Sequence, residues 1–146
     1  MPTAARLTAA IAFAIVGYVI FATMVPIYGE DTVPRFLMAL CIGAGLWAGW
    51  VLCGKNAHSI ASGIGTGYTA VLAQVFWILL IMSFVHMIDQ AMRRRYDGPM
   101  DAVVDVFTIM YDNGMRFGSS DMITVILVGG FVGGALAGLM GKKFPR

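Results

Sequence analysis

MITVILVGGFVGGALAGLMG, residues 122–141, runs for twenty residues without an Asp, Glu, Lys or Arg, between Asp121 and the pair Lys142 and Lys143. A hydrocarbon core of about 30 Å takes roughly 20 apolar helical residues. The stretch has that length and predicts a membrane-spanning helix. Gly129, Gly133, Ala137 and Gly141 recur at four-residue spacing, and so do Gly130, Gly134 and Gly138. Residues four apart stack on one helix face, so two adjacent stripes of small residues run along this helix. Small side chains let helix backbones approach closely in lipid, where dispersion then drives association. Gly129, Gly130, Gly133, Gly134 and Gly138 are therefore read as helix-packing positions.

Three more stretches lack formal charge: Leu7–Gly29, Phe36–Gly54 and Asn56–Ile88. Together the four predict an all-α membrane protein, a four-transmembrane-helix bundle, with spans at about 4–26, 35–53, 58–92 and 121–141 in a single domain of 1–146. Only 12% of the chain is charged. Soluble domains average near 25%, so a soluble catalytic domain is excluded. The formal net charge of +2 is too small to argue for nucleic acid, and none is expected as a partner. The first apolar run outlasts a signal-peptide core of 7–15 residues, which favours a retained helix. Pro26, Gly29 and Pro34 punctuate the first loop, and Gly54-Lys55-Asn56 reads as a tight turn. The third stretch would make a helix of about 50 Å. It must tilt, protrude, or begin irregularly around Gly63 to Gly67, and its last turns, His86–Met92, are expected to leave the hydrocarbon.

Asp97-Gly98-Pro99 is a turn signature in which proline is pre-organised for a new helix start. Beyond it Val103, Val104, Phe107, Met110 and Tyr111 share one helical face, and Asp101, Asp105, Thr108 and Asp112 share another. This predicts a short amphipathic interfacial helix over about 100–112, between spans 3 and 4, with Asn113-Gly114 as its stop. Surface-seeking helices carry Lys and Arg on the polar face. This one carries carboxylates, which places it on the bundle, on the less anionic side of the membrane, or against a partner protein.

An even number of spans puts both termini on one side. Arg6, Lys55, Lys142, Lys143 and Arg146 fall there, against Arg35, Arg93, Arg94, Arg95 and Arg116 opposite. The positive-inside count is a tie. The flanks of the first and last spans favour cytoplasmic termini, whereas Arg93–Arg95 argues the reverse. Termini-in is the expected orientation.

The span centres lack ionisable groups, which counts against a proton-coupled exporter. Gln74, Thr66, Thr69, Ser62 and Ser83 are the main polar groups, all in span 3, and are expected to hydrogen-bond between helices. His86, Asp89 and Arg93 share a helix face, read first as an Asp89–Arg93 ion pair at the membrane edge and second as part of a metal site. Cys41 and Cys53 lie about 18 Å apart along one helix and cannot pair within it. Cys41, mid-span, reads as inert packing, and Cys53 as more open to chemistry. Trp47, Trp50, Trp77, Tyr18 and Tyr28 read as interfacial or lipid-facing. With no nucleophile–base pair, phosphate loop or paired-cysteine motif, no catalytic residue, cofactor or metal site is expected.

Arg93-Arg94-Arg95-Tyr96 is the densest charge in the chain. Two readings stand: a juxtamembrane anchor with Tyr96 in the aromatic belt, or guanidinium recognition of a lipid headgroup or oxyanion. With Asp101, Asp105 and Asp112 it forms the candidate interaction surface.

Met1-Pro2-Thr3-Ala4-Ala5-Arg6-Leu7, Gly65-Thr66-Gly67-Tyr68-Thr69-Ala70, and above all Met92-Arg93-Arg94-Arg95-Tyr96-Asp97-Gly98-Pro99 followed by Asp101-Ala102 resemble the TrgA family. These are small bacterial integral membrane proteins associated with tellurite resistance, and the resemblance covers nearly the whole chain. It implies a phenotype, tellurite resistance, and a bacterial inner-membrane location. It carries over no reaction and no site residue. The expected role is non-catalytic, through envelope function or redox poise. Alternatives are an accessory subunit of a larger respiratory or photosynthetic membrane complex, or a small oligomeric anion channel or exporter. The expected partners are the lipid bilayer and either a larger complex or further copies of the chain.

Overall fold

The computed structural model describes residues 4–29, 35–53, 60–93 and 98–143. Among these every secondary-structure element is helical: α1 (Ala4–Tyr28), α2 (Phe36–Ala48) continued by a π-helical turn Gly49–Cys53, α3 (Ile60–Met92), α4 (Pro99–Phe117) and α5 (Ser120–Lys143). The span at Arg6–Ile27 in α1, that at Phe36–Cys53, Ala61–Met92 in α3 and Ser120–Lys142 in α5 are long and apolar enough to cross a membrane. The architecture is the four-span bundle that the uncharged stretches require, with a fifth, amphipathic helix between the third and fourth spans.

The ends follow local chemistry. Proline lacks an N–H, yet Pro26 lies inside α1, which continues to Tyr28, two residues past the expected end. Gly29 stops it: its φ of 83° is open to glycine at little cost, and its N–H donates to the Val25 carbonyl at 2.9 Å. Pro99 opens α4 at its first turn, as expected. The helix does not stop at Asn113-Gly114. It runs to Phe117, because an interior glycine costs only about 1 kcal/mol and Phe117 is buried. Gly118 ends it, its N–H shared between the Gly114 and Met115 carbonyls. The glycine-rich start of span 3 is regular helix, since Ile60–Met92 is unbroken. The long third span therefore does not begin irregularly.

Close approaches of glycines set the arrangement. A Cβ on Gly67 would lie 2.5 Å from both the Gly130 carbonyl oxygen and Gly134 Cα, and one on Gly63 2.6 Å from the Gly134 oxygen. α3 and α5 thus touch backbone to backbone and run antiparallel. On the neighbouring stripe, Gly129 faces Val16 and Gly133 faces Phe13, both in α1. α1 meets α2 the same way, Gly45 against the Phe13 carbonyl, Gly49 against Ala9 and Ala10, and Gly17 against the Cys41 carbonyl. The principal interfaces are α3 with α5, α1 with α2, α1 with α5 and α2 with α3. The four spans therefore stand in a square in chain order, each antiparallel to its neighbours. The two stripes of α5 serve two different helices. The π turn falls where Gly49 abuts α1, a site where one wide turn reseats the helix end, and Cys53 is buried there.

Candidate interaction surface

The bundle centre is filled. Phe13, Ile20, Met24, Leu37, Ile78 and Met122 are fully buried, and Gln74 lies among them. The Gln74 side-chain amide Nε2 donates to the Cys41 carbonyl at 3.2 Å, tying α3 to α2, and its Oε1 is buried without a protein partner. Three hydroxyls of span 3 also bond within their own helix. Thr66 donates to the Ser62 and Gly63 carbonyls, Thr69 to Gly65 and Ser83 to Leu79, all within α3. A hydroxyl one turn from a carbonyl can satisfy itself without a second helix, whereas Gln74, with its longer reach, bonds across. Both thiols are buried, Cys53 as fully as Cys41, and Cys53 lies within hydrogen-bonding reach of the Thr66 hydroxyl. The expectation that Cys53 is the more open is corrected: the π turn rolls it inward. Tyr18, Trp47, Trp50 and Trp77 face outward, and Trp47 and Trp77 meet edge to face at 5.9 Å.

Polar and apolar surface concentrates at the far end of α3. Gly63 and Gly67 set its register against α5, which brings Ser120 level with about Leu79. α3 then continues to Met92, roughly 20 Å further at 1.5 Å per residue. α4 packs against α3; in it Val106 and Phe117 are buried and Ala102, Ile109 and Asn113 half-buried. The last turns of α3 and α4 thus form a helix pair.

The helix pair holds the candidate residues that the structure describes. Arg93 pairs with Asp89 at 3.0 Å, both exposed, as the spacing of four anticipates. An exposed pair of this kind contributes about 0–1 kcal/mol. His86 is exposed on the same helix. Among the described residues no three His, Cys, Asp or Glu side chains converge on a common point. Asp101 and Asp112 are exposed and Asp105 is half-buried. Asp101 stands in the first turn of α4 and Arg116 in the last, each matched to the helix dipole. Arg94, Arg95 and Tyr96 lie outside the described residues, as do Asp97, Pro34 and the turn at Gly54-Lys55-Asn56.

The apolar stripe of α4 points away from α3. Met100, Phe107 and Tyr111 are 72%, 67% and 69% exposed, with Val103, Val104 and Met115 beside them. The helix has three faces where the sequence pattern suggested two: one on α3, one acidic, and one apolar and outward. Met110, grouped with the outward residues by periodicity, lies at the edge and is half-buried. Comparison with protein-family models, with curated proteins and with solved structures gives no match.

Proposed function

We propose that this chain is a non-catalytic, multi-pass protein of the bacterial inner membrane, with cytoplasmic termini, that supports tellurite resistance through envelope function or redox poise. The tellurite reading rests on the resemblance of the Met92–Pro99 and Gly65–Ala70 segments to the TrgA family. The observation that carries the mode of action is the bundle centre. Its interior is occupied by Phe13, Ile20, Ile78 and Gln74, so work on a solute through one copy has no route there. The role then belongs to the surface. Deleting the gene should lower the tellurite concentration that the host tolerates, and the wild-type chain should restore it. Unchanged tolerance in the deletion strain would refute the resistance reading.

A second reading, an accessory subunit of a larger respiratory or photosynthetic membrane complex, is favoured by the outward apolar stripe of α4. Stoichiometric co-purification from a mild detergent is the expected result under it. A third, an oligomeric anion channel or exporter, would require a polar pathway built between copies, and anion flux in vesicles holding the purified chain alone would favour it.

A further inference from the structure

We draw no further inference here: the strongest candidate, the outward surface row of Ala61, Gly65, Thr69 and Ala73 along the first half of α3, is a stripe of small residues with nothing in the structure to show what covers it.

Discussion

Gly67→Ala adds one methyl group where α3 and α5 touch. The new Cβ would stand 2.5 Å from the Gly130 oxygen and Gly134 Cα, whereas ordinary contact begins at 3.4 Å. The atoms it meets are backbone, so no rotamer change relieves the clash and the helices must part by about 0.9 Å. A gap of 0.5–1 Å forfeits roughly a quarter to a half of the dispersion attraction of the facing atoms. Overpacking of this kind costs about 1–3 kcal/mol, partly offset by the roughly 0.5–1 kcal/mol that alanine gains over glycine inside a helix. The expected net loss is about 1 kcal/mol. Gly65→Ala, half a turn away on the same helix, meets nothing within 4 Å. It should be neutral or stabilising by up to about 1 kcal/mol. Gly133→Ala should fall between, since it meets the Phe13 ring edge at 3.0 Å and a side chain can yield. The assay is reversible unfolding of the full chain in mixed micelles, followed by tryptophan fluorescence. Equal stability of the Gly67 and Gly65 variants would show that backbone contact at this seam does not hold the bundle together.

Reporter fusions after Pro34, Asn56, Gly118 and Arg146 should alternate in location; the same location for the first two would refute the second span. The thiols of Cys41 and Cys53, both buried, should resist a water-soluble maleimide in the folded protein and react fully in SDS, and rapid labelling of native protein would contradict the inward roll of the π turn. Gln74→Met should stay within about 1 kcal/mol of wild type in the unfolding assay. It loses one cross-helix bond, worth about 0.6 kcal/mol on average in a membrane protein, and also removes the orphaned Oε1; a loss above 2 kcal/mol would show that the amide organises more than its one bond.

Much of the bundle was legible because lipid imposes few rules and the sequence obeys them visibly. Four uncharged stretches give four spans, and the two glycine stripes of α5 announce close packing. Which stripe meets which helix was not legible. That depends on register, and register is set by pairs such as Gly63 with Gly134, distant in sequence. Gly17 gave no signal, having no small residue four positions away, yet it admits the Cys41 carbonyl. The hydroxyls of span 3 divide: Thr69 and Ser83 bond to carbonyls one turn back in their own helix, whereas Thr66 also reaches Cys53 across the helix boundary. The start of α4 at Pro99 was readable, but its end was not. Asn113-Gly114 has the composition of a stop, yet the helix runs past it to the buried Phe117.

The same contrast explains why the candidate surface sits where it does. α3 spends its first half among glycines, locked to α5 by backbone contact, and has no glycine after Gly67. Beyond the level of Ser120 it has left α5, and α4 packs against α3. Periodicity alone could not say which apolar face of α4 finds a partner inside the chain, because Val106 and Phe107 are adjacent in sequence and both apolar. The chain uses the face with Val106 for itself and leaves the face with Phe107 outward. A membrane protein needing only to fold could end α3 near Leu79 and connect directly to α5. α4 leaves much of its apolar surface outward and carries Asp101, Asp105 and Asp112 along its length.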